Sequence, residues 1–538
     1  MFLALLVLLA IGEGLRRTRH RLRALAPALA PGRRRMRGDL TRWLRGVARW
    51  EWAALAGALV LALAIRVPDL DQPIRYDEAA TWLDYASRPL VEALADYRFP
   101  NNHLFHTLLV HVSAAAFGSD PWALRLPAFV AGLLLVPLTW ALGRALAGAG
   151  AGIAAAALVA ASATLALYST NARGYTIVCC LTVALALLAV HQLRHDEPAG
   201  WVLMAAVTAL GAWTIPTMLY PALGIGLWAW AAAGRDGAIV DRPAIRARLG
   251  WTALGAAGIA ALLYLPVVAH SGLALVVGNR FVRPQSRQSF FAALPDFFSA
   301  LAADWTRGWP MWVAMVVGVA AALGMLSWRA GRDSGVRASP FGAALLAALA
   351  FLVLNGRIPY VRVWMYLIPL AAVAAGAALT SIAARLGAGS RTPFIAAAIG
   401  AVCGVAGAIG VAGSNAIRRA DDTGAMPFAE AVAARLAREL APRDRVIASA
   451  PADLPLSYYL RRAGAPGRPL RASADSAGTI WIVVLDDPPQ HVDALVRGAE
   501  VVRRDFSTPG LVARVDGARV FAMRREQPGC ILAPERCR

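Results

Sequence analysis

The chain is punctuated by apolar stretches of about the length, 17 to 25 residues, that carries a helix across the hydrocarbon of a bilayer. They run near 51–66, 122–146, 149–168, 175–193, 201–217, 218–233, 250–270, 310–328, 340–355, 362–382 and 393–413. In lipid the backbone must satisfy its own hydrogen bonds, so eleven such runs leave a helical bundle as the available architecture. Several are short or abutted, and the expectation is about 11 to 12 spans. With 58% hydrophobic and 16% charged residues over 538 positions and a mean hydropathy of +0.53, a single water-soluble core is excluded. Residues 2–15 add a short apolar run without a basic flank before it, readable as a signal peptide, a span or an over-extended start.

Charge sets an expected orientation. Residues 16–49 hold twelve Arg against one acid, Asp39, and such a segment stays in the cytoplasm. An odd number of spans then puts the C-terminus outside, with the loops 67–121, 169–174, 271–309 and 356–361 on the outer face. The implied location is the inner (plasma) membrane, multi-pass. The net charge of +21 comes from Arg alone, with no Lys, and no aromatic-interleaved basic domain accompanies it, so nucleic acid is not an expected partner. Cys179, Cys180 and Cys403 fall inside apolar runs as small hydrophobes. Cys530 and Cys537 in the polar tail either close a small loop or stay free.

Three regions follow: an apolar run and Arg-rich cytoplasmic segment over 1–49, a transmembrane domain over 50–415, and a small soluble extracytoplasmic α/β domain over 416–538. In the last, PFAEAVAARLAREL and LPLSYYLRRAG read as helices, and RVIASA and TIWIVVLDD as buried strands. It carries no phosphate loop and no metal-ligand cluster, which suits a lid or an acceptor-docking module.

Chemistry concentrates in the first outer loop, 67–121. It holds eight acids (Asp69, Asp71, Asp77, Glu78, Asp84, Glu92, Asp96, Asp120), after which none appears until Asp196. Loops of that length over a membrane domain build sites. Its stretch LFHTLLVHVSAAAFG is apolar but short for a span and reads as an interfacial helix. Asp77 and Glu78 are adjacent. They read either as acids at a helix N-terminus, offsetting the dipole of a helix over AATWLDYA, or as a catalytic pair; the two readings are compatible. Adjacent carboxylates also suit a hard divalent cation, with His103 as a further ligand. The segment FPNNHLFH offers Asn101, Asn102, His103 and His106 as hydrogen-bonding groups, or as loop and cap elements. Arg173, Arg357 and Arg362 lie in short outer loops, where positive charge is disfavoured. They either snorkel to headgroups or bind a lipid phosphate, which a guanidinium holds in bidentate fashion. Arg280, Arg283 and Arg287 lie in a longer loop.

Taken together, YDEAATW after the first span, NNHLFHTLLVHVSAAAFG, WALRLPAFVAGLLLVPLTWALGRALAG, YSTNARGYTI and PYVRVWMYLIPL resemble the GT-C membrane glycosyltransferases of family 39, the protein mannosyltransferase and aminoarabinose transferase group. The resemblance covers roughly residues 50–380 and is strongest over 75–180. It implies transfer of a sugar, with inversion, from a polyprenyl-phosphate donor to a glycan, lipid or protein acceptor at the outer face of the bilayer. It maps the family's acidic pair onto Asp77, as general base, and Glu78. Arg173, Arg357 and Arg362 become candidates for the donor phosphate, and Asn102, His103, Tyr175 and Tyr360 for acceptor or sugar contacts. Relatives often carry Pro after the His of the second motif, and here Leu104 follows His103.

The competing class is a polytopic transporter or flippase for lipid-linked glycans. Ion-coupled transporters place ionisable groups within their spans, and every span after the first lacks Asp and Glu. A catalytically dead scaffold is a third reading, which gains nothing from retaining the acidic pair.

Overall fold

The computed structural model describes residues 30–233, 242–278, 282, 284–326, 339–422, 424, 426–465, 477–487, 489–499, 501, 505–515 and 517–526. The apolar run 2–15, Arg280, Arg283, Cys530 and Cys537 lie outside them. The chain is a polytopic helical membrane protein with a mixed α/β region at its C-terminal end. It divides into two compact units, the first made of Met1–Ile65, Val130–Ser169 and Gly174–Ala416, the second of Arg66–Phe129, Thr170–Arg173 and Ile417–Arg538.

In the first unit the apolar runs are helices. By length and composition six helices among the described residues are long and apolar enough to cross a membrane: Arg49–Asp69, Pro121–Ala147, Tyr175–His195, Pro243–Ser271, Leu367–Arg385 and Gly389–Gly413. A bent pair, Ala149–Ala161 and Ala163–Ser169, makes a seventh if counted as one span. The runs 201–217 and 340–355 form apolar helices of 17 and 16 residues, Pro198–Thr214 and Pro340–Asn355, and among the described residues the run 310–328 forms Met311–Leu326. The pair bends by 63° at Ser162, whose hydroxyl accepts the Leu165 N–H at 3.4 Å and so restarts the helix.

Every residue from Gly150 to Ala161 is buried, and small residues explain how. A Cβ added to Gly376 of the helix Leu367–Arg385 would stand 2.4 Å from the Ala151 carbonyl oxygen, and one on Gly400 of Thr392–Gly413 would stand 2.4 Å from Ala154 Cα. The helices touch backbone to backbone. Between lipid-facing helices there is little hydrophobic drive, so close van der Waals approach at Gly and Ala supplies the association. Cys179, Cys180 and Cys403 are buried thiols of this unit, as expected of small hydrophobes.

The second unit joins three separated segments. Its sheet runs β1 (Arg445–Ile447), β2 (Thr479–Leu485), β3 (Gly510–Val515) and β4 (Ala518–Arg524), in the order β1-β2-β4-β3. β1 pairs parallel to β2, and the other pairings are antiparallel. Alternation along TIWIVVL sorts β2 between two cores: Ile480, Ile482 and Val484 pack with Val496, Phe506 and Met523, while Trp481, Val483 and Leu485 face the other way. That second core is shared with the helices Ala429–Glu439 and Asp453–Arg462 and with Ile74, Ala79, Ala86, Val110 and Leu124 of the loop 67–121 and the helix after it. The α/β region beginning at Ile417 therefore does not close a core by itself; the loop 67–121 supplies part of one face.

Buried polar contacts repeat the join. Arg75, 1% exposed, donates to the carbonyls of Ala420 at 2.6 Å, Ile417 at 2.9 Å and Asp422 at 3.0 Å. The Ile74 N–H donates to the Tyr459 hydroxyl at 3.0 Å, and the Tyr76 N–H to the Gly424 carbonyl at 2.8 Å. Arg418 reaches Asp69 at 2.7 Å. These contacts fix the entry of the helix that carries the acidic pair.

Candidate functional site

Asp77 and Glu78 sit in the first turn of the helix Tyr76–Ala80, which continues as a wider turn over Thr81–Ala86. Neighbours in sequence, they do different work. Glu78 is 1% exposed and each of its oxygens accepts two N–H groups. Oε1 takes Arg125 Nε at 2.7 Å and the Ala172 N–H at 2.7 Å; Oε2 takes Arg125 Nη2 at 2.7 Å and the Arg75 N–H at 2.9 Å. Burial by itself raises the carboxyl pKa, but the Arg125 guanidinium and the two backbone donors outweigh it and hold Glu78 below its ordinary value. With four donors in place, Glu78 is a positioning residue. The expectation that it acts as a cation ligand or shares the base role does not survive this geometry.

Asp77 is half-buried, and among the described residues its carboxylate has no hydrogen bond or ion pair. Only its backbone carbonyl is engaged, by the Thr81 hydroxyl at 2.9 Å and the Thr81 N–H. Of the two acids it is the one whose carboxylate is unengaged among the described residues.

Arg173, in the short segment Thr170–Arg173, belongs to the same unit and is 2% exposed. It donates to the Asn101 carbonyl at 2.9 Å, the Thr81 hydroxyl at 3.3 Å and His103 Nε2 at 3.1 Å. A guanidinium cannot accept, so His103 Nε2 is the acceptor, and His103 is held neutral with its proton on Nδ1. Among the described residues Arg173 Nε–H has no partner. His106, one turn on in the helix Leu104–Phe117, is fully buried, and burial with the nearby Arg173 pushes its pKa down to about 3. A neutral imidazole there avoids a second positive charge beside the guanidinium.

Asn102 departs from its expected role. Its Nδ2 donates to the Ala93 carbonyl at 2.9 Å and the Asp96 carbonyl at 2.7 Å, and its Oδ1 accepts from the Thr107 hydroxyl at 2.7 Å. At 2% exposure it clamps the loop onto the start of the helix Leu104–Phe117 and offers no donor to a sugar.

The remaining candidates fall in the first unit, where three of them meet. Arg362 Nε donates to the Tyr175 hydroxyl at 3.0 Å, and its guanidinium lies 4.2 Å from the ring centroid of Tyr360. Tyr175 stands edge-on to Tyr168 at 5.1 Å. The rings orient the Arg362 fork by stacking. Tyr175 and Tyr360 thus serve this arginine, although the sequence reading placed them at the sugar or acceptor. Arg357 is partly exposed and has no hydrogen bond or ion pair among the described residues. Arg287 begins the helix Arg287–Trp305 and is exposed.

The buried Arg125 and Arg75 escaped the sequence reading. Arg125, with no exposed surface, binds Glu78 and also donates to the carbonyls of Gln72 at 2.6 Å, Leu70 at 2.8 Å and Pro73 at 3.2 Å; Arg75 holds the segment from Ile417. The signal available was an Arg inside the apolar stretch WALRLPAF, which demands a buried anion. For a divalent cation on Asp77, Glu78 and His103, the donor set does not fit: Glu78 is saturated, and His103 Nε2 is spent on Arg173.

Comparison with known proteins agrees with this architecture. The sequence pattern of the family described as dolichyl-phosphate-mannose-protein mannosyltransferase matches residues 102–270. No curated protein matches the chain in sequence. Among solved structures, ArnT from Cupriavidus metallidurans, apo and bound to undecaprenyl phosphate, superposes with a TM-score of 0.60 at 16% identity. The apo match covers 88% of this chain and 97% of that one, and the complex 88% and 98%. The oligosaccharyltransferase AglB from Archaeoglobus fulgidus, solved with an inhibitory peptide and a dolichol-phosphate, gives a TM-score of 0.50 at 13% identity over 81% of this chain and 69% of that one. The chain thus has the fold of ArnT, and within it residues 102–270 match the pattern of the dolichyl-phosphate-mannose-protein mannosyltransferase family.

Proposed function

We propose that the chain transfers a sugar from a polyprenyl-phosphate donor to an acceptor hydroxyl at the outer face of the membrane, with inversion at the anomeric carbon. The observation that carries this reading is the contrast between two adjacent carboxylates: Glu78 spends four acceptor positions holding Arg125 and the loop, while Asp77 keeps its carboxylate unengaged among the described residues. Asp77 is the general base. The acceptor oxygen attacks the anomeric carbon, the bond from that carbon to the phosphate oxygen breaks with its electron pair, and the acceptor proton passes to Asp77. A lipid phosphate is a good leaving group, so the protein needs a base for the incoming hydroxyl and positive charge for the departing phosphate. Arg173, whose Nε–H is unspent among the described residues, is suited to the phosphate. Arg362, oriented by Tyr175 and Tyr360, and Arg357 are the cations that the first unit offers to an anion. His103, held by Arg173 through Nε2, is kept as a contact to the sugar. ArnT, solved with undecaprenyl phosphate, supports this donor class.

The Arg-rich segment before residue 50 supports an inner-membrane placement with residues 416–538 outside and a transferase domain over 50–415. Labelling of Glu430→Cys from the outside in intact cells checks it; protection there would overturn the orientation. The reaction is tested with radiolabelled polyprenyl-phosphate sugars in membranes. Asp77→Asn is expected to cut transfer about 10²- to 10⁴-fold while leaving the protein folded. Undiminished transfer in that variant would remove Asp77 as base, and no transfer by the parent chain would favour a carrier of lipid-linked glycans.

A further inference from the structure

Within the first unit, away from every residue used above, two histidines and an aspartate converge. His191 and His195 stand at i and i+4 near the end of the helix Tyr175–His195, on one face, with ring centroids 4.6 Å apart and planes inclined by 36°. Asp39, on helical residues 30–45, joins them, and one ligand atom from each of the three lies within 4.8 Å of the others. The second observation is His191 Nε2, a buried ring nitrogen with no hydrogen-bond partner among the described residues. A buried polar atom left unsatisfied is unfavourable, so something that engages imidazole nitrogen relieves it.

The surrounding charges are otherwise engaged. Arg42 pairs with Asp39 through Oδ1, leaving Oδ2. Arg194 donates to the Ala145 carbonyl at 2.9 Å, and Arg35 pairs with Glu197 at 3.2 Å. Two neutral imidazoles and one carboxylate carry a single negative charge, which suits a divalent ion. Histidines one helical turn apart are the spacing that chelates zinc on a helix. We propose that Asp39, His191 and His195 form a site for a divalent transition-metal ion of the zinc class. Bonds of about 2.0–2.1 Å bring tetrahedral ligands to roughly 3.4 Å from one another, which the exposed His195 reaches by a rotamer change. Water fills the fourth position. Imidazole with carboxylate also accepts Co²⁺ and Ni²⁺. The ion ties the Arg-rich segment to the end of the helix Tyr175–His195.

The test uses the full chain, purified in detergent without a polyhistidine tag. After equilibration with zinc and removal of the free ion, elemental analysis is expected to find one equivalent per chain. His195→Ala, which removes an exposed side chain and leaves the packing intact, is expected to weaken binding tenfold or more, as is Asp39→Asn. Cobalt in place of zinc is expected to give a visible d–d band in the parent chain and none in the His191→Gln, His195→Ala double variant. Absence of stoichiometric zinc in the parent, or unchanged binding in His195→Ala, would overturn the site.

Discussion

The two units are held together by opposite means. In the first, the helix Ala149–Ala161 is surrounded at backbone contact, with Gly376 and Gly400 supplying the space. In the second, three chain segments far apart in sequence are joined by buried arginines, each answered by carbonyls or a carboxylate. A membrane bundle gains little from the hydrophobic effect between its helices and so depends on shape. The second unit, built from a loop and an α/β region, uses hydrophobic burial on both faces of its sheet, then adds directional bonds that fix which segment docks where. Buried ion pairs are poor sources of net stability but good at specifying a single arrangement, because removing one partner strands the other. Here that specificity falls on the helix bearing Asp77.

Breaking the charge network is expected to have the largest effect. Glu78→Gln and Arg125→Met, made singly, should each destabilise the second unit by about 3–5 kcal/mol, seen as earlier proteolysis within residues 426–465 on denaturant titration. A cost below about 1 kcal/mol would mean that the apolar core alone holds the unit. The matching assault on the first unit is Gly400→Leu, whose side chain must enter space now filled by Ala154. It should cost about 1–3 kcal/mol in thermal unfolding in detergent, and a neutral result would deny the close-packing account. Arg362→Lys, which keeps the charge but loses the stacked fork, is expected to raise the donor KM about tenfold, or roughly 1.4 kcal/mol, with unfolding unchanged. An unchanged KM would separate Arg362 from the donor.

The smallest effect near neutrality is that of pH. The Glu78 carboxyl is held below 4.5, its ordinary value, so the folded state binds its proton less readily than the unfolded state. Its stabilising contribution is complete above that value and is lost as pH falls through the lower folded pKa. The second unit should therefore show no Glu78-dependent slope between pH 6 and 8 and should loosen in acid, a response that Glu78→Gln abolishes. An acid response surviving in that variant would place its origin in another group.

The helices of the first unit were legible as apolar runs, and β2 as an unbroken apolar strand, since burial on all sides leaves a compositional trace. What the runs did not show was a break: the run 149–168 bends by 63° at Ser162. Asp77 and Glu78 stood out by placement, yet nothing in the dipeptide separates their roles. The separation comes from Arg125, 47 residues away, and the Ala172 N–H, 94 residues away. Asn102 misled for the same reason, because an amide suited to a sugar is equally suited to the backbone carbonyls of Ala93 and Asp96.

By itself the amino-acid sequence determined the material of this protein: apolar helices in number, an acid-rich loop after the first of them, arginines in places that require anions, and an α/β tail. Those properties are local, written in composition and period. Tertiary structure alone decided that the loop and the tail form one unit, that Glu78 is spent on Arg125 while Asp77 keeps its carboxylate, and that Tyr175 and Tyr360 attend Arg362. Hydrogen-bond partners are chosen by proximity in space, and a carboxylate's chemistry depends on which donors the fold brings to it.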